Sequence, residues 1–191
     1  MSSLMETWPR RHRITVDEYY RMAEVGLLAP DARVELIEGE IIDMAPIGTD
    51  HCSVVDQLTR QFVMSVGNNG IVRVQGAVRL DWLSEPQPDL ALLAARDDFY
   101  RHAHPLPADV LLLIEVSDST LRYDRDRKMP LYARHGIPEV WIFDLQNGEL
   151  HVYRSPQDGA YLQHHSTKEP GITPLAALHG ASVDLSGILA R

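Results

Sequence analysis

Two acidic residues of this sequence stand where a carboxylate needs a partner. Glu115 follows the apolar run Val-Leu-Leu-Leu-Ile that starts at Val110, and Val116 comes directly after it. Such a run predicts a strand buried on both faces, and a lone charged carboxylate at its end requires a cation, a metal or a proton. Asp89 opens the preceding apolar segment, in Gln-Pro-Asp-Leu. If the two strands are neighbours, both acids lie at one end of the sheet and could bind a hard divalent cation through oxygen.

Each acid also has a simpler interpretation. Glu115 could reach solvent at the strand end or pair with a nearby arginine. Pro-Asp is a common start of a turn, which would account for Asp89 without any ligand. The residue types alone leave both alternatives open.

The segment after this strand is rich in groups that bind anions or form ion pairs. Ser117-Asp-Ser-Thr120 supplies hydroxyls just before a helix, and hydroxyls and helix-start N–H groups suit anion capture. Arg122 and Arg125 could contact phosphates, although their alternation with aspartates also fits a self-paired, solvated surface. Lys128 is either part of that surface or an ammonium in the first helical turn that leans back over the strand end.

Three helices are predicted to position these groups. Thr15-Val-Asp-Glu18 has the spacing of a capping box, which marks the start of the first helix. Pro130 is tolerated only near the first turn of a helix, so the third helix is expected to start shortly before it. The predicted helices cover 15–25, a segment that Thr49 or Asp50 caps and that ends before Gly67, and Asp126–Arg134.

The remaining apolar runs predict strands. Asn147-Gly148 is typical of a hairpin turn, and Glu38-Gly39-Glu40 separates two short strands in the same way. The other predicted strands cover 71–80, 90–93, 110–114, 140–143 and 150–153. Beyond Ser155 the pattern weakens, and residues 156–191 are expected to form only peripheral strands and turns of the same domain. Crossover helices between such strands indicate a mixed α/β sheet.

Length and composition predict one globular domain. The chain has 191 residues, of which 45% are apolar and 24% charged, which excludes a disordered, collagenous or coiled-coil chain. Its one cysteine, Cys52, excludes an internal disulfide, and residues 1–13 hold no apolar run, so we expect a cytoplasmic protein with no membrane association. The net charge of −9 argues against a protein that coats nucleic acid through bulk positive charge.

Taken together, five motifs resemble the Uma-type restriction endonucleases, a bacterial branch of the PD-(D/E)XK nuclease superfamily. The resemblance covers residues 15–155, after an N-terminal tail at 1–14, and the joint spacing is far more specific than any one motif. The motifs are Gln-Pro-Asp89, Ile-Glu115-Val-Ser117, Asp124-(x)3-Lys128-(x)3-Tyr132-Ala133, Gly136-(x)4-Trp141-(x)2-Asp144, and Glu35-Leu-Ile-Glu-Gly-Glu40 with His51.

The resemblance implies a restriction-endonuclease-like mixed sheet flanked by helices, and it implies roles for the two acids. In such enzymes the Asp and the Glu hold Mg²⁺ or Mn²⁺, here Asp89 and Glu115, with the carbonyl of Val116 as a further ligand. A lysine two positions after the Glu helps to activate water. That position is Ser117 here, so the resemblance implies that Lys128 supplies the amine from the following helix.

The resemblance also implies roles for residues around this centre. Glu35 would be an additional carboxylate that binds a second metal or orients water, whereas its simpler interpretation is an ordinary hairpin glutamate. His51, at the start of its helix, and Ser117 would lie beside the metal ligands.

The activity implied is metal-dependent hydrolysis of phosphodiester bonds in DNA by an endonuclease. Arg122 and Arg125 would contact flanking phosphates, and a homodimer would present two sites to two strands. One alternative is a catalytically silent nuclease fold that acts as an interaction module. Another is a zinc protein, although no Cys-x-x-Cys or His-Glu-x-x-His pattern accompanies its candidate ligands. Those candidates are His102 and His104 with Cys52, His164 or His165.

Overall fold

The computed structural model describes residues 11–178 and 180–190. Its centre is a six-stranded sheet in which neighbouring strands follow chain order, and the pair β5 and β6 is parallel whereas the other neighbours are antiparallel. The strands are β3 (Gly70–Val74), β4 (Leu90–Ala94), β5 (Val110–Ser117), β6 (Glu139–Asp144), β7 (Glu149–Gln157) and β8 (Ala160–Thr167).

Helices and two small hairpins surround this sheet. The helices are α1 (Val16–Glu24), α2 (Thr49–Val66), α3 (Leu121–Tyr123) and α4 (Met129–Arg134), with a π-helical turn at Asp124–Lys128 between α3 and α4. The hairpins pair β1 (Val34–Ile37) with β2 (Glu40–Asp43) and β9 (Ile172–Pro174) with β10 (Ser182–Asp184). None of the helices in the described ranges combines the length and apolar character needed to cross a bilayer.

The central strands bury both faces, which explains why their sequences are continuously apolar. One face packs on α2, where Phe62 meets the Trp141 ring edge to face at 5.7 Å between centroids. The opposite face packs on α4 and on the β1–β2 hairpin through Tyr132, Leu131 and Ile37. This layered mixed α/β arrangement confirms the predicted fold class.

The C-terminal segment adds to this core. Strand β8 extends the sheet, and four buried side chains after it join the cluster under α2: Leu175, Val183, Leu185 and Ile188. Their sequence gave no periodic pattern from which this packing could be inferred.

Two predicted helices lie where the sequence placed them, and the second differs in how it is capped. The Thr15 side chain accepts a hydrogen bond from the Glu18 backbone N–H and completes a capping box, so α1 starts as predicted. The second helix starts at Thr49 with Gly48 as its N-cap and no side-chain cap, so neither Thr49 nor Asp50 caps it.

The predicted strand over 71–80 was wrong beyond Val74. Gln75 has a φ of 46°, which ends the extended conformation, and its N–H bonds to the carbonyl of Asp89. The chain then leaves the sheet and returns, and Glu85 forms a bridge with Leu36 of β1. This detour joins the β1–β2 hairpin to the start of β4.

The third predicted helix starts earlier than expected. The α-helical segment α4 has Pro130 in its first turn, as predicted, but helical structure already begins at Leu121 and continues through the π-helical turn into α4. The π-helical turn accommodates the proline. The Met129 N–H bonds to the carbonyl of Asp124, five residues back, so the backbone hydrogen bonds directly before Pro130 already follow the wider π-helical pattern. Such π-turns are frequent at functional sites.

Candidate active site

The register of β4 and β5 brings the two predicted acids to one end of the sheet. The strands are antiparallel and Leu90 lies opposite Ile114, so the residue before β4 meets the C-terminal end of β5. Asp89 accordingly accepts a hydrogen bond from the backbone N–H of Val116, at 2.8 Å, immediately beside Glu115. Both acids are buried and line the same pocket.

Lys128 lies between two buried carboxylates. Its Nζ is 3.2 Å from Glu35 Oε2 and 3.2 Å from Glu115 Oε1, and 3.9 Å from Asp124 Oδ1. The π-helical turn ends at this lysine, so the turn sets the direction in which the ammonium projects. Three elements that are distant in the sequence, β1, β5 and the π-helical turn, therefore meet at one ammonium.

Further hydrogen bonds hold each carboxylate in place. His51, in the first turn of α2, has its Nε2 3.0 Å from Asp89 Oδ1. The hydroxyl of Tyr132 donates to Glu115 Oε1 at 2.6 Å, and the backbone N–H of Gln87 donates to Glu35 Oε2 at 3.1 Å. The hydroxyls of Ser117 and Thr120 both donate to Asp124 Oδ2, at 2.7 Å each.

Burial and neighbouring charges shift the pKa values of this cluster. It raises the pKa of Glu115 to about 8, although the Lys128 ammonium opposes the shift. For Lys128, burial acts in the opposite sense, but the carboxylates of Glu115 and Glu35 raise its pKa above the ordinary value, so the ammonium stays charged. Burial and the Glu115 carboxylate raise the pKa of Tyr132, which keeps that hydroxyl a donor.

The cluster opens into a pocket of about 430 Å³. The loop from Met44 to Gly48 forms one wall and the segment from Asp118 to Thr120 forms another, and Arg33 and Tyr123 also line it. A pocket of this size admits a small group such as a phosphodiester linkage but not a folded partner.

The donor set fits a hard divalent cation that keeps part of its water shell. Asp89 and Glu115 offer carboxylate oxygens, and among the described residues Glu115 Oε2 has no hydrogen-bond partner. Within those same residues no three His, Cys, Asp or Glu side chains surround a common point. Mg²⁺ typically binds to one or two carboxylates together with substrate phosphates rather than in a complete protein cage.

The predicted site residues fall into two groups. Glu35, Asp89, Glu115 and Lys128 converge with His51 and Ser117, and Glu35 is more than a hairpin glutamate because its carboxylate faces the ammonium. Arg122 and Arg125 do not line the pocket. Both face Asp126 instead, with Nε of Arg122 3.5 Å from its Oδ2 and Nε of Arg125 3.2 Å from its Oδ1.

The zinc alternative finds no support in the residues that the structure describes, because its candidate ligands do not assemble. His104 Nε2 lies 2.9 Å from the Tyr20 hydroxyl, and the His164 ring stacks on Tyr153 with 4.3 Å between centroids. Cys52 is exposed on α2.

Four residues of the site had no predicted role: Asp124, Tyr132, Tyr123 and Arg33. Asp124 and Tyr132 belong to the motif around Lys128, and their spacing of four residues from it places the three side chains on one helix face, so the motif could have indicated a role for them. Nothing in the sequence indicated Arg33 or Tyr123, because their approach to the pocket depends on the hairpin and the π-helical turn.

A protein of known structure shares this fold. The chain is similar to the crystal structure of a putative nuclease belonging to DUF820 from Anabaena variabilis ATCC 29413, with a TM-score of 0.64 and 17% identity over 88% of this chain and 94% of that chain. At this identity the likeness concerns the fold. A search of curated proteins gave no match.

A family model extends the resemblance beyond the motifs. The model of the Uma2 family, described as putative restriction endonuclease, matches residues 16–186. The match includes residues 156–186 of the C-terminal segment, which the motifs did not reach. The chain therefore belongs to the Uma2 family.

Proposed function

We propose that this protein is a metal-dependent endonuclease that hydrolyses phosphodiester bonds in DNA. The observation that supports it best is the convergence of Glu35 and Glu115 on the buried ammonium of Lys128, with Asp89 lining the same pocket. Membership of the Uma2 family supports the same reaction class.

Asp89, Glu115 and the carbonyl of Val116 would hold Mg²⁺ or Mn²⁺. Bound there, the ion would supply Lewis acidity at a phosphate oxygen and a lower pKa for a water ligand. The N–H of Val116 and the imidazole of His51 keep the Asp89 carboxylate in a fixed orientation, and Tyr132 does the same for Glu115. Fixed ligands of this kind need no rearrangement during the reaction.

Lys128 and Glu35 would act on the water and the phosphate. The charged ammonium donates hydrogen bonds to the attacking water and stabilises the negative charge that builds up on the phosphate oxygens. Glu35, 3.2 Å from the ammonium, orients it and accepts a proton from the water or binds a second ion. Ser117 holds Asp124, which in turn faces Lys128.

Contacts outside the pocket would orient the DNA. The Arg122 and Arg125 side chains are exposed and follow the Asp118–Thr120 wall of the pocket in the sequence, and they would contact phosphates that flank the cleaved one. A homodimer would present one such site to each strand, and light scattering of the purified protein would measure its mass.

The proposal is tested by incubating plasmid and single-stranded DNA with the protein in Mg²⁺, Mn²⁺ or EDTA. We expect cleavage with either ion and none in EDTA. Glu115→Gln keeps the size of the side chain but removes the charge, and should lower the rate about a hundred-fold or more. Asp56→Asn, an exposed residue of α2, is the matched control and should cleave like the parent. A parent protein inert toward every DNA and RNA form would favour the interaction module.

A further inference from the structure

Two buried polar atoms in the described part of the chain lack a hydrogen-bond partner, and both belong to residues that line the candidate active site. They are Nδ1 of His51 and the hydroxyl oxygen of Tyr123. A buried hydroxyl without a partner loses its hydrogen bonds to water without replacement, so proteins rarely keep one without a reason. Their location in one pocket suggests that a ligand completes them.

Tyr123 differs in this respect from most other tyrosines of the protein. Their hydroxyls donate to carboxylates or backbone carbonyls: Tyr19 to Val34, Tyr20 to Glu85, Tyr100 to Ala94, Tyr132 to Glu115 and Tyr161 to Ile137. Tyr123 ends α3, directly before the π-helical turn that carries Lys128. Its side chain is thus directed at the pocket by the same irregular helix that positions the ammonium.

Several donors near the carboxylates are already engaged within the protein. Lys128 donates toward Glu35 and Glu115, and the Ser117 and Thr120 hydroxyls donate to Asp124. The hydroxyl of Tyr123 is available to an anionic group that enters the pocket, because no partner within the described residues engages it. Burial together with the Glu35 carboxylate raises the pKa of Tyr123 to about 12, so it keeps its proton.

We infer that Tyr123 is a substrate-binding residue whose hydroxyl donates a hydrogen bond to a non-bridging oxygen of the phosphodiester at the site. This inference rests on the proposed nuclease function and adds a contact that it does not require. Tyr123 lines the pocket and its hydroxyl is buried in the free protein, so binding of the phosphodiester would be accompanied by a change of rotamer that exposes the hydroxyl to it. The bond forms in the complex and is absent in the free protein.

The test compares the parent with Tyr123→Phe and with Tyr161→Phe. Tyr161 does not line the pocket, and its hydroxyl donates to the Ile137 carbonyl at 2.9 Å. Three quantities are measured: the melting temperature, the affinity for a fluorescent oligodeoxynucleotide in Ca²⁺, and kcat/KM for its cleavage in Mg²⁺. Tyr123→Phe should keep or raise the melting temperature, because no bond within the protein is lost. It should weaken DNA binding or kcat/KM by about ten- to a hundred-fold, as for a hydrogen bond to a charged group.

Tyr161→Phe should show the opposite pattern, with a lower melting temperature and unchanged binding and cleavage. A Tyr123→Phe protein that binds and cleaves like the parent would overturn this inference and leave the proposed function standing. A lower melting temperature for Tyr123→Phe would also overturn it, because the hydroxyl would then have a partner within the free protein. A parent that neither binds nor cleaves DNA would overturn both.

Discussion

At the scale of single residues, the environment of Glu115 determines how the site responds to pH and to cations. The carboxyl lies at the end of a strand buried on both faces, and its partners are one ammonium and one tyrosine hydroxyl. The sequence indicated that this carboxylate needs a cation, because the apolar run on its N-terminal side leaves it little water. It could not indicate that Tyr132 shares the same oxygen, because that contact depends on the packing of α4 against the sheet.

The raised pKa of Glu115 predicts that the metal-free protein becomes less stable as the pH rises. Its pKa is 4.5 in an unfolded chain and about 8 in the folded protein, so between these values the folded state binds more protons. The free energy of unfolding should therefore fall as the pH rises through this window. Urea unfolding in EDTA at a series of pH values measures this, and Mg²⁺ should reduce the loss because it binds the charged carboxylate. A free energy of unfolding that rises with pH across the window would contradict the assignment.

At the scale of elements, the β1–β2 hairpin and the irregular helix position the site. The hairpin brings Glu35 to Lys128, and the π-helical turn brings Lys128 to the strand end. The hairpin was predictable from Glu38-Gly39-Glu40, because glycine in a turn between apolar residues is a strong local pattern. The π-helical turn was not, since the rule that excludes proline from helix interiors assumes α-helical hydrogen bonding.

Gly39 should be the position where the hairpin tolerates a side chain least. Its φ is +77°, and a Cβ added there would lie 2.5 Å from the Cβ of Arg13. Gly26 has nearly the same φ, +76°, with nothing within 4 Å of an added Cβ, so Gly26→Ala measures the conformational penalty alone. We expect Gly39→Ala to lower the free energy of unfolding by about 1 kcal/mol or more beyond Gly26→Ala, which chemical denaturation measures. Equal effects of the two substitutions would show that the contact with Arg13 relaxes freely.

At the scale of the whole molecule, charge sets the order in which ligands bind. The chain carries a net charge of −9, and the pocket concentrates acidic groups around one ammonium. The composition predicts repulsion of DNA, but the location of the negative charge depends on the register of β4 and β5, which the sequence does not show. The same limit applies to the C-terminal segment, whose apolar residues are too widely spaced to show that they complete the core under α2.

DNA binding should therefore depend on a divalent cation. In EDTA the affinity for DNA should be weak, and Ca²⁺ should raise it at least about ten-fold, with DNA raising the affinity for the ion by the same factor. Fluorescence anisotropy at fixed ionic strength, with Na⁺ replacing the ion as a control, measures the first effect. Tight binding in EDTA would count against a metal site in this pocket.

If Asp89 and Glu115 jointly hold the ion that DNA hydrolysis requires, removing one of these ligands should abolish most of the activity. The most direct measurement is the cleavage rate of Asp89→Asn relative to the parent in saturating Mn²⁺, with near-normal melting temperature as evidence of folding. We expect a loss of about a hundred-fold or more, because the neutral amide no longer supplies an anionic ligand. Cleavage by the folded Asp89→Asn protein at the parental rate would contradict it.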